Sequence, residues 1–124
     1  VSHNILSVLL VDDDPDVRSV FELVMSHHQI PFNVIGDAET ALSFLETHDP
    51  TIVVMDIFLP GMDGYQALQS LRRNARNPGC KVVATTAYYT ADTEQDVQAR
   101  GFDGYIPKPF DPEKLVSYLE SVVN

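Results

Sequence analysis

The chain has 124 residues, 44% of them hydrophobic, with 18 acidic against 8 basic side chains and a formal net charge of −10. That length corresponds to one domain able to bury about two thirds of its unfolded surface, and the apolar content excludes intrinsic disorder. A surface this acidic repels nucleic-acid phosphates and anionic membranes, so neither direct DNA binding nor membrane association is expected.

No apolar stretch approaches the roughly 20 residues of a membrane span, and no signal-peptide pattern opens the chain. The single cysteine, Cys80, excludes an internal disulfide and suits a reducing cytoplasm. The chain opens on Val1 rather than Met, which points to processing or to excision from something longer.

Short apolar runs alternate with amphipathic segments five times, the βα rhythm of a parallel sheet covered on both faces. The first strand is read over Ile5–Val11, nearly all apolar, as a strand buried on both faces should be. Asp14-Pro15 supplies an N-cap followed by proline at the first helical position. Val17, Val20, Phe21 and Val24 then carry a first helix to about His28. Pro31 precedes a short second strand, Phe32–Ile35, expected at a sheet edge. Gly36-Asp37 opens a second helix with Ala38, Ala41, Leu42 and Leu45 on one face.

The third strand, Thr51–Met55, runs into Asp56 and a loop to Gly64 punctuated by proline and two glycines. Asp63 caps a third helix that carries Ala67, Leu68 and Leu71. Lys81–Thr85 forms the fourth strand. The fourth helix, Asp92–Arg100, closes on Gly101 at C′. Its only sizeable apolar residue is Val97, so it should pack weakly and move easily. A fifth strand, Gly104–Ile106, ends at Pro107-Lys108-Pro109. Asp111-Pro112 repeats the cap signal for a fifth helix that turns Leu115, Leu119 and Val122 to the sheet. No linker or repeat interrupts the pattern, and residues 1–124 read as a single domain.

Parallel βα sheets bind ligands beyond the carboxyl ends of their strands. Asp12 and Asp13 follow the first strand, Asp56 the third, Thr86 the fourth and Lys108 the fifth. Carboxylates brought together there repel by about 4 kcal/mol per pair at about 4 Å and an effective dielectric near 20. The arrangement therefore calls for a hard divalent cation between them and for chemistry at Asp56. Taken singly, Lys108 would read as a solvated charge, Thr86 as a strand residue and Tyr105 as packing. The convergence of four strand ends argues against that for Lys108 and Thr86, while Tyr105 stays open. Asp14 reads as a helix cap. His27 and His28 point about 100° apart on a helix and share no ligand face; His3, His48 and Cys80 have no partner in sequence.

At these residues the chain resembles the receiver domain of the two-component response regulator family, from Ile5 to about Val123. Leu9-Leu10-Val11-Asp12-Asp13-Asp14-Pro15 resembles the family's acidic pocket, and Met55-Asp56-Ile57-Phe58-Leu59-Pro60-Gly61-Met62-Asp63-Gly64 its phosphoacceptor strand and loop. Thr85-Thr86-Ala87 matches the hydroxyl position and Tyr105-Ile106-Pro107-Lys108-Pro109-Phe110 the lysine motif. The resemblance implies a doubly wound (βα)5 flavodoxin-like sandwich whose five-stranded parallel sheet has the order 2-1-3-4-5. It also implies a phosphoryl group accepted on Asp56 from a phosphohistidine of a sensor histidine kinase or histidine phosphotransfer protein. Mg2+, with Mn2+ able to substitute, would be held directly by Asp13 and Asp56, largely through water by Asp12, and by the Phe58 carbonyl.

A carboxylate attacking a dianionic phosphoryl group is strongly repelled, and such a cation removes that repulsion. Lys108 supplies a point charge for one phosphoryl oxygen and the Thr86 hydroxyl a hydrogen bond for another. By the same resemblance Lys108-Pro109 is cis. Thr86 and Tyr105 form a switch that reshapes the surface around helix 4, strand 5 and helix 5. Such a domain is a cytoplasmic signalling switch that catalyses its own phosphorylation and dephosphorylation, not a turnover enzyme. Its downstream effector or attached domain is unknown, and a phosphorylation-dependent dimer is one assembly it allows. Phe58 and Tyr88 stand two residues beyond the phosphoacceptor and two beyond the hydroxyl residue, positions that in the family flank the path of attacking water. Bulky aromatics there imply slow self-dephosphorylation, unless both rings face solvent and pack against a partner.

Other classes fit less well. A flavodoxin-like cofactor protein needs hydroxyls and amides where this chain has Asp12-Asp13-Asp14-Pro15-Asp16. A dehalogenase-type aspartyl phosphatase needs a second acid where Phe58 stands, and usually a cap domain. A receiver kept only as a scaffold is the nearest rival, yet no site position has been lost.

Overall fold

The computed structural model describes residues 6–73 and 78–124; Ile5, the expected start of the first strand, and His3 lie outside them. The element order is β1 (Val8–Val11), α1 (Pro15–His27), β2 (Phe32–Ile35), α2 (Ala38–Phe44), β3 (Ile52–Asp56), α3 (Gly64–Arg73), β4 (Lys81–Thr86), α4 (Thr93–Ala99), β5 (Gly104–Pro107) and α5 (Leu115–Val123). All strand pairs are parallel and the sheet order is β2-β1-β3-β4-β5, as the family resemblance implied. β2 is an edge strand, as expected.

Alternation along each central strand builds two cores, because successive side chains leave a strand on opposite faces. Val8, Leu10, Ile52, Val54 and Val83 face α1 and α5, where Phe21, Val24, Met25, Leu115 and Leu119 close over them. Leu9, Val11, Val53, Met55, Val82 and Ala84 face α2, α3 and α4, against Ala38, Leu45, Leu68, Leu71 and Val97. Truncating a fully buried ring such as Phe21 in a core of this kind costs about 3–5 kcal/mol. Val97 is the only buried residue of α4, so that helix is held by little buried apolar surface.

Several boundaries differ from the sequence reading for local reasons. Ser7 precedes β1: its N–H bonds the Thr51 hydroxyl at 2.9 Å, while its carbonyl takes the Thr51 and Ile52 amides at 2.8 and 3.3 Å and the Thr51 hydroxyl at 3.1 Å. The Asp111-Pro112 signal makes a tight turn: Asp111 accepts from the Glu113 amide at 2.9 Å and its carbonyl from the Lys114 amide at 3.1 Å, and α5 proper starts only at Leu115. Asp14 does cap α1, accepting from the Asp16 and Val17 amides. Asp63 and Gln66 at the start of α3 bond each other's amides reciprocally, at 2.9 and 3.0 Å. Gly101 adopts φ +107° just after α4, the left-handed conformation that glycine permits.

Two glycines set close approaches. A Cβ on Gly64 would lie 2.7 Å from the Asp56 carbonyl oxygen and from Ile57 Cα, so α3 can begin against the end of β3 only without a side chain there. A Cβ on Gly104 would lie 2.5 Å from the Tyr118 hydroxyl, which accepts the Tyr105 N–H at 2.8 Å. At the opposite end of the sheet, Asp103 accepts from the Val82 amide at 2.8 Å and from Arg72 at 2.6 Å, while Arg72 also reaches the Cys80 carbonyl at 2.8 Å.

Cys80 is buried beside this clamp, and burial pushes its thiol up from 9.0 to about 11. Because the folded value lies above the unfolded one, the stability held by the neutral thiol is complete below about pH 9 and is lost as pH rises through about 11. The melting temperature should fall across that window, and Cys80→Ala should lessen the fall. Native protein at mildly alkaline pH should resist iodoacetamide and react fully in denaturant. Fast labelling of the native state would contradict a buried thiol.

Candidate functional site

Strand register assembles the site. Val11 pairs with Met55, so the next residues, Asp12 and Asp56, come level at the carboxyl end of the sheet. Asp56 pairs with Thr85, and Thr86 with Pro107, which sets Lys108 one residue past the same edge. The Lys108 amide bonds the Thr86 carbonyl at 3.1 Å and holds that step in place. The Lys108-Pro109 peptide bond is cis.

The Lys108 ammonium lies between two carboxylates. It donates to Asp56 Oδ2 at 2.8 Å and sits 2.7 Å from Asp12 Oδ2. The second contact is an ion pair without the direction of a hydrogen bond, so Asp12 Oδ2 is buried with no directed donor. Asp12 Oδ1 accepts the Asp14 amide and Asp56 Oδ1 the Phe58 amide, each at 2.9 Å. Asp12 is fully enclosed and Asp56 nearly so. Burial raises the Asp12 pKa, with the Lys108 ammonium and the Asp14 amide opposing it. For Lys108, burial works against the charge, but the neighbouring Asp12 and Asp56 carboxylates outweigh it and hold the ammonium above its ordinary value.

One carboxylate oxygen from each of Asp12, Asp13 and Asp56 falls within 4.8 Å of the others. Opposite ligands of an octahedral Mg2+ are about 4.2 Å apart, twice the usual bond length. The all-oxygen donor set, the small closure needed and the undirected Asp12 Oδ2 all fit a hard divalent cation. Asp13 is exposed and faces the cleft mouth.

The cleft, about 200 Å³, is lined by Asp13, Asp14, Asp56, Phe58, Ala87, Tyr88 and Lys108. Phe58 and Tyr88 are 55% and 79% exposed and meet edge to face, centroids 5.9 Å apart. They both line the cleft and face solvent, which joins the two alternatives raised by the sequence. Thr86 is buried and outside the lining: its Oγ1 accepts the Tyr88 amide at 2.9 Å. Tyr105 is half-buried, near Tyr89 at a centroid distance of 6.4 Å, and its hydroxyl is enclosed without a hydrogen-bond partner among the described residues. Burial, then Tyr89 and Glu94, raises the Tyr105 pKa.

Sequence reasoning missed three contributors. Asp14 caps α1 and also walls the cleft; Gly64 lets α3 approach Asp56; the Thr85 hydroxyl, buried, donates to the Ile106 carbonyl at 2.7 Å and ties β4 to β5 below the site. Glycines beside a strand-end acid carried the only available signal for the second. His27 and His28 form an edge-to-face ring pair away from this cluster.

Comparison with known proteins gives one answer. The family model for the response regulator receiver domain matches residues 8–120. Response regulator Rre1 of Synechocystis is 38% identical over 120 residues, covering 95% of this chain and 52% of that protein, so the chain spans about half of that relative's length. A 14.6 kDa protein of Leptolyngbya boryana is 31% identical, covering 93% of this chain and 88% of its own. Among solved structures, the receiver domain of sensor histidine kinase PA1611 from Pseudomonas aeruginosa, with a magnesium ion coordinated in its active-site cleft, superposes with a TM-score of 0.83 at 28% identity, covering 95% and 97%. Chemotaxis response regulator CheY4 of Vibrio cholerae shares the fold at a TM-score of 0.86 and 23% identity, covering 96% and 99%.

Removing the ammonium should leave Asp12 and Asp56 buried and uncompensated. Lys108→Met in chelator-treated buffer should lose on the order of 3 kcal/mol, and millimolar Mg2+ should return part of it. An unchanged denaturant midpoint would mean that the carboxylates do not depend on Lys108.

Proposed function

Since the chain belongs to the response regulator receiver family, the phosphoryl-accepting switches of two-component signalling, we propose that Asp56 is its phosphoacceptor and that Asp12, Asp13 and the Phe58 carbonyl join Asp56 in holding Mg2+. The observation that carries this is the meeting of three carboxylates within 4.8 Å at the end of the sheet, bridged by Lys108. The chain is a signalling receiver and not a metabolic enzyme; self-catalysed phosphorylation and dephosphorylation are part of the proposal.

Asp56 lines the cleft with Oδ2 on the Lys108 ammonium and Oδ1 on the Phe58 amide, and one of these oxygens is the attacking atom. The P–N bond of a phosphohistidine breaks, its electron pair stays on the ring nitrogen, and a P–O bond forms to Asp56. The bound cation supplies the positive charge that lets two anions approach. Lys108 already touches Asp56 Oδ2 and needs only a short shift to follow a phosphoryl oxygen. Thr86 must turn its hydroxyl hydrogen from the Tyr88 carbonyl, 3.4 Å away, to the phosphoryl group, drawing the start of the β4–α4 loop towards the cleft. Tyr105 answers from the neighbouring strand. Its enclosed hydroxyl lacks a partner, a state that costs about 1–3 kcal/mol, so a modest displacement of α4 is enough to re-pack it. Weakly anchored α4 is the two-state element that such a local charge can bias.

The donor is a histidine kinase or histidine phosphotransfer protein in the cytoplasm. Residues 1–124 act as one receiver unit, and the output passes to an effector or attached domain, or to a phosphorylation-dependent dimer, through the surface of α4, β5 and α5. Among the described residues no helix is long and apolar enough to cross a membrane. The acidic surface argues against direct nucleic-acid binding.

Acetyl phosphate with Mg2+, Mn2+ substituting, should add one phosphoryl mass; Asp56→Asn should block it and chelation should stop it. Full labelling of Asp56→Asn would sink the assignment. Mg2+ alone should raise the melting temperature, and Asp13→Ala should remove most of that rise.

Phe58 and Tyr88 offer no carboxylate or amide to orient water, so the acyl phosphate should decay slowly. Phe58→Asn with Tyr88→Glu should speed decay by on the order of tenfold, because an aligned nucleophile carries much of such a rate. Equal decay in wild type and double variant would refute shielding.

A further inference from the structure

We propose that Tyr89 is a positioning residue of the switch: its ring contact with Tyr105 holds the resting state, and the turning of the Thr86 hydroxyl releases that contact. This rests on Asp56 being the phosphoacceptor.

Thr86 grips a single residue twice. Its Oγ1 accepts the Tyr88 N–H at 2.9 Å and donates to the Tyr88 carbonyl at 3.4 Å. That carbonyl belongs to the planar peptide unit joining Tyr88 to Tyr89, so the direction of the hydroxyl bears on how Tyr89 is carried. The two tyrosines reach different neighbours. Tyr88 meets Phe58 at the cleft, whereas Tyr89 meets Tyr105 of β5, with ring centroids 6.4 Å apart and planes at 67°.

Downstream the segment is tied a second time. The Thr90 amide bonds the Thr93 hydroxyl at 2.8 Å, and the Thr93 amide bonds the Thr90 carbonyl at 3.2 Å, which closes Thr90 onto the first turn of α4. Tyr88 and Tyr89 are the span between Thr86 and this closure. A hydroxyl that leaves the Tyr88 carbonyl for a phosphoryl oxygen loosens one end of the span while the other stays fastened to weakly packed α4.

Tyr105 is the side chain that registers the change. Its backbone is held, because the Tyr118 hydroxyl takes its N–H at 2.8 Å, but its own hydroxyl is enclosed without a hydrogen-bond partner among the described residues. Its ring is therefore kept in place by packing, and Tyr89 is part of that packing. Tyr89 is itself 52% exposed and can swing away at little loss of buried surface. A ring held by packing moves when its neighbour moves.

The test is a double-mutant cycle on the binding of beryllofluoride with Mg2+, a stand-in for the phosphoryl group, titrated by amide NMR at Thr86 and Ala87. If the Tyr89–Tyr105 contact holds the resting state, Tyr89→Ala and Tyr105→Ala should each lower the half-saturating concentration about twofold or more, as coupled neighbours do. The two together should lower it no further than either alone. Tyr89→Phe should keep the wild-type value, since the ring and not the hydroxyl makes the contact. A Tyr89→Ala protein that binds as wild type does, or a double variant in which the two effects add, overturns the role of Tyr89 and leaves the phosphoacceptor standing. An Asp56→Asn protein that binds the mimic as tightly as wild type overturns both. Melting curves identify any variant that has lost its fold, and Tyr89→Leu with Tyr105→Leu then completes the cycle.

Discussion

The contact on which the site depends is Lys108 between Asp12 and Asp56. Two enclosed carboxylates level with each other on neighbouring parallel strands are an electrostatic cost that the fold must answer before any ligand arrives. The ammonium answers it at 2.7 and 2.8 Å, and reaches that place because β5 ends one residue before it and its amide is held by Thr86. A lysine suits this better than an arginine. Its compact charge on a flexible stem can move with an oxygen, where a planar guanidinium would fix itself to one geometry. The balance is partial, because Asp12 Oδ2 has a nearby charge and no directed donor. A cleft left slightly short of positive charge is one that a divalent cation can complete.

Much of this was legible in residue order. Four strand ends delivering Asp12 and Asp13, Asp56, Thr86 and Lys108 could be counted from apolar runs, and parallel pairing does the rest. The helical caps at Asp14 and Asp63 could be read because each is a local event within three residues. What escaped depends on partners distant in sequence. The Ser7 N–H meets the hydroxyl of Thr51, 44 residues away, and not a backbone carbonyl. The Asp111 cap serves a turn because α5 must clear the end of β5 before packing.

The two cores differ in what they permit. On one face α1 and α5 cover the sheet with Phe21, Met25, Leu115 and Leu119, all buried. On the other, α4 contributes only Val97, while Arg100 from its C-terminal end lies 3.4 Å over the Tyr65 ring of α3. A helix pinned at one end by a cation–π contact and along its length by a single valine can tilt without exposing much apolar surface. The region expected to move is thus the region with least to lose by moving.

The hydrogen bond from Tyr105 to Tyr118 has a further consequence, for self-association. β5 is an open sheet edge, and open edges invite strand addition by other chains. Residues two apart on a strand point their amides the same way; here those are Tyr105, whose N–H is occupied by a hydroxyl from α5, and Pro107, which has none. The edge therefore offers an approaching strand no free amide to grip over that stretch. Partners that meet this side of the molecule must recognise side chains, and β-type polymerisation is discouraged at the border where sheets are most exposed to it.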